Sequence, residues 1–152
     1  MDKQSLRACK EWFLGLSPPE PGALQGVYQA EFIGPGWLQR SAGPALSLVS
    51  LKNWWGKVFD GPDRAENLVA RGEGLLRTMP MRVERVPSRL DGRPGVTLVY
   101  PRGSPFPWSW MVDELRQVEN GQILGLTMAA IPGLDRLALP FLLRRRRDLD
   151  GL

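Results

Sequence analysis

The side chains with chemistry to offer are Asp113, Glu114, Glu31, Lys57, Arg77 and Tyr100, which stand in or beside apolar runs. Burial would perturb any titratable group placed there. Asp113 and Glu114 are adjacent, and neighbours on a strand point to opposite faces, so the two cannot work as a carboxylate pair. Either alone is a candidate general base beside tryptophans that would raise its pKa, or the partner of Lys57, Arg77 or Arg82 in an internal ion pair. The ion pair is the simpler arrangement. Histidine is absent, which removes serine, cysteine and metal sites that depend on imidazole. The lone cysteine, Cys9, supports neither a disulfide framework nor a thiolate metal cluster. The glycine pairs at 34–36 and 72–74 lack the Lys-Ser/Thr or the dinucleotide spacing of a phosphate cradle. No cofactor and no metal are expected.

A second set of residues suits an apolar ligand. Tyr28, Phe32, Trp54, Trp55, Met79, Met81, Trp108 and Trp110 make up an aromatic and Met inventory on candidate inward faces, and the chain holds 6 Trp in 152 residues, more than a small core needs. Rings of this kind either fill the interior of a small barrel or enclose one ligand. In the second case the candidate ligand-binding residues are Tyr28, Trp54, Trp55, Met79, Met81, Trp108 and Trp110, with Lys57 or Arg77 to orient the ligand.

These residues must be held by the elements that the hydrophobic pattern predicts. Residues 2–16 carry Leu6, Cys9, Trp12, Phe13 and Leu16 at three- and four-residue spacing, an amphipathic helix that Asp2 would cap and the proline-rich 17–22 run would end. Such a helix packs on the outside of a barrel or caps its open end. Tyr28, Ala30 and Phe32 share the inner face of a strand over 24–32. Residues 33–44, rich in Gly and Pro, read as a loop in which Trp37 is either an anchor folded onto the barrel mouth or a ligand contact, the anchor being the simpler reading. Residues 45–60 read as a strand, an aromatic turn at Trp54-Trp55-Gly56-Lys57 and a second short strand, with Gly56 allowing close backbone approach or a bulge. Residues 61–67 read as a loop. A pair of strands broken near Gly72 to Gly74 follows, with Leu75, Arg77, Met79, Met81 and Val83 on one face.

The stretch from Val96 to Met128 is a meander of apolar runs divided by turn formers, the sharpest at Asn120-Gly121. Alternation puts Trp108, Trp110, Val112, Glu114 and Arg116 on one side of its middle strand and Ser109, Met111, Asp113, Leu115 and Gln117 on the other. Neither side is purely polar, so both are partly covered. Residues 131–136 read as a loop and 137–143 as a final strand, where Pro140 implies an edge or a bulged position, and an edge would leave homodimerisation through it open. Residues 144–152 read as a frayed basic tail. About 8–10 strands with one helix and no strand–helix alternation make the fold mainly β, a single antiparallel barrel domain over 1–152.

Composition is that of a soluble globular protein, 43% hydrophobic and 24% charged. The formal charge of +4 owes much to Arg144–Arg147, which reads as a solvated end, so no nucleic acid partner is expected. No apolar run approaches the roughly 18 residues of a transmembrane segment, and with one cysteine and no secretory signal a cytoplasmic location is expected.

Three landmarks together resemble the GXWXG family, which pairs that motif with a C-terminal domain of unknown function. They are Gly26-Val-Tyr28-Gln-Ala30, where Tyr28 and Ala30 replace the family's Trp and second Gly, then Trp54 to Asp60, and the run from Val96 through Met111-Val112-Asp113 to Ile123-Leu124-Gly125 with a closing Phe141 to Arg144. The resemblance implies a compact β-rich fold and carries no established activity. More distantly, the Gly-x-aromatic near the first strand and an arginine in the last are similar to lipocalin-like (calycin-type) barrels, which implies that Arg144 stacks on Tyr28. The reading is a lipocalin-like protein that binds a small hydrophobic molecule in its interior. The alternatives are a cofactor-free isomerase or hydrolase using Asp113 or Glu114 on an apolar substrate, and a structural or interaction module.

Overall fold

The computed structural model describes residues 5–47, 51–119, 121–129 and 138–151. Eight strands close into a lipocalin-like antiparallel barrel: β1 (Gly26–Phe32), β2 (Trp54–Phe59), β3 (Arg64–Arg71), β4 (Gly74–Glu84), β5 (Val96–Val99), β6 (Met111–Val118), β7 (Gln122–Ala129) and β8 (Leu139–Arg145). Each strand pairs with its neighbours in sequence, and β8 returns to β1. Closure leaves none of these strands at an edge, and the β7–β8 register runs through the Leu126–Pro140 pair without a shift, so Pro140 marks neither the edge nor the bulge expected. The β1–β8 ladder ends at the Phe32–Phe141 pair, and Pro140 lies just beyond it.

Helix α1 (Leu6–Leu14) forms where the apolar spacing places it. Its N-cap is Ser5, whose hydroxyl accepts a hydrogen bond from the Ala8 amide at 3.0 Å, whereas Asp2 lies outside the described residues. The helix lies on the outer wall, burying Cys9 and Phe13 against Val112, Leu124, Leu126, Met128 and Leu142. Strands β6 to β8 are therefore apolar outside as well as inside, which explains why alternation found no polar face there. Arg116 fixes the helix end from below. Its guanidinium stacks 4.5 Å from the Phe13 ring centroid, donates to the Phe13 and Leu14 carbonyls, and makes two 2.9 Å bonds to Asp91.

The 33–44 segment is not a loop. Helix α2 spans Gly36–Ser47 and takes in the start of the strand expected at 45. Its glycines and Pro44 suggested irregularity, but Leu38 and Ala42, spaced by one turn, face inward and are buried, while Pro44 sits on the exposed side. Residues 48–50 lie outside the described set. The chain does not reverse at the tryptophans: β2 runs through them, and the register shifts between Trp54 and Gly56 as a bulge. A Cβ on Gly56 would stand 2.0 Å from the Tyr28 carbonyl oxygen, so only glycine permits the β1–β2 approach. Residues 64–67, expected in a loop, open β3.

A second bulge lies on β4, where the register against β3 shifts between Glu66 and Asn67 and Met79 adopts φ 53°. It reverses the alternation. Met79, Met81 and Val83 point inward, whereas Leu75 packs on the outside with Val27, Val58 and Leu68, and Arg77 pairs outside with Asp60 and Glu66. The single face expected for these residues is thus split at Met79. The β6–β7 hairpin closes on the Val118–Gln122 pair, so residues 119–121 connect it with Gly121 at φ 72°; Asn120 lies outside the described residues, as does the 131–136 segment. The basic end does not fray. Arg144 pairs with Glu31, Arg145 with Asp150 and Arg146 with Asp148, and Leu149 packs against the outer cluster.

Gly56→Ala should cost at least about 3 kcal/mol in urea unfolding, because backbone must move to admit the methyl group. Gly72→Ala, at φ 60° with open space around it, should cost only about 1 kcal/mol. Burial raises the Asp91 carboxyl, but the hydrogen bond and charge of Arg116, with help from Arg93, outweigh it and hold the carboxyl below its ordinary value. A depressed folded-state pKa stabilises the fold above the unfolded value of about 3.9 and ceases to as pH falls through the folded one. The stability gap between the wild type and Asp91→Asn should therefore narrow as the solution is acidified below about pH 4.

Candidate functional site

Inside the barrel, Lys57 on β2 and Asp113 on β6 meet at 3.0 Å, with both side chains almost wholly buried. In a ring of eight strands β2 and β6 are opposite one another, so this ion pair crosses the interior. Neutral groups complete the contacts. The Lys57 ammonium donates to Asn67 Oδ1 at 2.8 Å and makes longer contacts with Met81 Sδ and the Tyr100 hydroxyl. Asn67, which pairs with Lys57 across β2–β3, donates to the Met79 carbonyl and the Tyr100 hydroxyl and accepts from Trp54 Nε1. Asp113 Oδ1 accepts from Thr127 at 2.8 Å. Burial first, and then the Asp113 charge, push the Tyr100 phenol well above its ordinary pKa, so it remains a neutral hydroxyl. The ammonium also lies within 5.4–5.9 Å of the ring centroids of Trp54, Phe141 and Tyr100, where aromatic faces stabilise a cation.

The ion pair divides the interior. Toward the Gly26 end, Leu24, Tyr28, Phe59, Leu98, Leu115 and Ile123 fill the space, and Arg145 stacks 5.7 Å from the Tyr28 ring centroid. The arginine over Tyr28 is thus Arg145, one residue beyond the Arg144 expected, because the β1–β8 register sets Tyr28 opposite Arg145. Toward the other end the barrel is hollow. A cavity of about 420 Å³ is walled by Phe32, Leu51, Trp54, Trp108, Met111 and Phe141 and roofed by Leu38, Ala42 and Leu46 of α2, and it reaches Lys57, Asn67, Tyr100, Asp113 and Thr127. Gly125 shapes this wall: a Cβ there would meet the Phe141 ring at 2.2 Å. Filled core and hollow barrel, posed as alternatives by the aromatic content, occupy opposite halves of one interior.

Of the residues selected from sequence, Phe32, Trp54, Lys57, Tyr100, Trp108 and Asp113 meet at this cavity. Tyr28 points to the filled end, where its hydroxyl donates to the Ala23 carbonyl at 2.9 Å. Met79 and Met81 stand behind Asn67. Trp55 faces out beneath Arg146, Arg77 lies outside the barrel, and Trp110, 54% exposed, ends a short 3-10 turn over Trp108–Trp110 that replaces the expected start of β6. Trp37, on α2, lines the cavity rim. Glu114 points outward and accepts from Ser88 Oγ and the Arg89 amide, holding the β4–β5 connection. Sequence reasoning missed Asn67, Thr127 and the α2 roof. Asn67 was hidden because residues 61–67 read as a loop and the strand it belongs to, Arg64–Arg71, is half polar in sequence.

Among solved structures, a crystal structure of a protein from Thermomonospora curvata is similar with a TM-score of 0.70, covering 96% of this chain and 90% of that one at 23% identity. That likeness shows the fold. No family model and no curated protein matches the chain. No helix among the described residues is long and apolar enough to cross a membrane.

Removing one member of a buried ion pair leaves an uncompensated charge, so Lys57→Met and Asp113→Asn should each destabilise the barrel by about 3–5 kcal/mol. The double variant Lys57→Met/Asp113→Asn should lose less than the sum of these two, and a double-mutant cycle in urea reads the difference.

Proposed function

We propose that this protein binds a small hydrophobic molecule in the hollow half of its barrel. The observation that carries the reading is the roughly 420 Å³ cavity, a size typical of small-molecule sites, with apolar walls ending on a fixed polar floor. Trp54 and Trp108 supply flat apolar contact on opposite sides, and Tyr100 packs on Trp108 with centroids 5.2 Å apart. The α2 roof gives the ligand a cover that belongs to no strand and so can shift without breaking a ladder. The resemblance to the GXWXG family forms part of this proposal. Its matching segments contribute Lys57 from β2 and Asp113 from β6, the two ends of the ion pair.

Solvent extraction of the purified protein followed by mass spectrometry should recover an apolar compound. Titration with a panel of apolar molecules should change the fluorescence of Trp54 and Trp108. Ala42→Phe, which fills the space beneath α2, should weaken binding at least tenfold, about 1.4 kcal/mol, while leaving the unfolding temperature within a few degrees. An empty extract together with fluorescence indifferent to every member of the panel would refute the reading.

A further inference from the structure

We propose that the cavity selects uncharged ligands, apolar molecules such as alcohols, ketones or esters, over fatty acids and alkyl amines of the same length, and that Asp113 sets this selection. The inference rests on the ligand-binding reading above and names the ligand class. Lys57 and Asp113 are the two charged residues among those described that line the cavity, and they neutralise each other at 3.0 Å. Every other polar group on the floor, from Trp54, Asn67, Tyr100 and Thr127, is uncharged and already hydrogen-bonded within the cluster. Among the described residues no buried side-chain nitrogen or oxygen lacks a partner.

A lysine at the base of an apolar pocket suggests a site for a carboxylate. This lysine is already engaged. A carboxylate reaching Lys57 would meet Asp113 bonded to the same ammonium, and two carboxylates on one cation leave a net negative charge where water is excluded. An incoming ammonium meets the reverse arrangement. A neutral head group adds no charge, and the walls take its hydrocarbon part. Asp113 is therefore the residue that converts a carboxylate site into one for neutral molecules.

The test uses 1-decanol, 2-decanone, decanoate and decylammonium, titrated into the full chain at about pH 8, where the acid and the amine are both charged. Wild-type protein should bind the alcohol and the ketone at least about 100-fold more tightly than either ion. Asp113→Asn, which leaves Lys57 without its counter-charge, should reverse the order so that decanoate binds best; Lys57→Met should favour decylammonium. Where a variant fails to fold, the wild-type ratio alone decides. Wild-type affinity for decanoate within tenfold of that for 1-decanol overturns the charge selection and leaves the ligand-binding reading standing. Failure of all four compounds to bind overturns both.

Discussion

The interior of this barrel depends on one interaction, the ion pair from Lys57 across to Asp113. Withdrawing two charges from water is expensive, and the attraction between them offsets that cost only when the remaining hydrogen-bonding capacity is also met. Here Asn67, Tyr100 and Met81 on the ammonium and Thr127 on the carboxylate meet it, with three aromatic rings around the ammonium. Asn67 bridges the ammonium and the phenol of Tyr100, Thr127 takes the second carboxylate oxygen, and Trp54 closes the ring of contacts with its indole N–H. The cluster is rigid because each member is held by at least one other. The apolar packing of the Gly26 end begins on one side of it and the cavity on the other.

Strand β6 ties this interior to the outer wall. Asp113 faces in while its neighbours Glu114 and Arg116 face out, and both of these are buried too, beneath the β4–β5 connection and helix α1. Glu114 holds Ser88 and Arg89, and Arg116 holds Asp91 and the last turn of α1. The strand therefore carries polar anchors on both faces, each satisfied by a different part of the chain. That double burial is what the mixed polarity of the sequence from Met111 to Val118 encodes.

Alternation in the sequence was enough to place Asp113 and Glu114 on opposite faces and to bring Tyr28 and Phe32 to the inner side of β1. The whole pattern gave a β-rich barrel with an N-terminal helix, whose place on the outer wall rather than over an open end only the structure decides. Alternation failed where the backbone departs from strict pleating. The bulge at Met79 returned Arg77 to solvent, and no residue type near it announces a positive φ. At Trp54 and Trp55 alternation itself separates the rings, since neighbours on one strand cannot both face the cavity. Helix α2 was obscured by Gly36, Gly43 and Pro44, whose local preference for irregular backbone gave way to the burial of Leu38 and Ala42 over the cavity. The pairing of Lys57 with Asp113 rather than with another carboxylate follows from barrel closure, a property of strand number and tilt that a local pattern does not carry.

The strand order also bears on how the chain reaches this state. Seven of the eight ladders join strands that follow one another, three of them (β2–β3, β3–β4 and β6–β7) over tight turns and the other four over longer connections, of which β1–β2 holds helix α2. The eighth, between β1 and β8, joins Tyr28 to Arg145, and the entropy of drawing in almost the whole chain falls on that one seam. An unseamed sheet would curl but expose two edges, and Lys57 and Asp113 would remain hydrated on facing parts of an open surface. Zipping the seam, with Arg145 clasping Asp150 and stacking on Tyr28, excludes that water. The seam that completes the barrel is thus also what keeps water from the ion pair and gives the cavity a continuous wall.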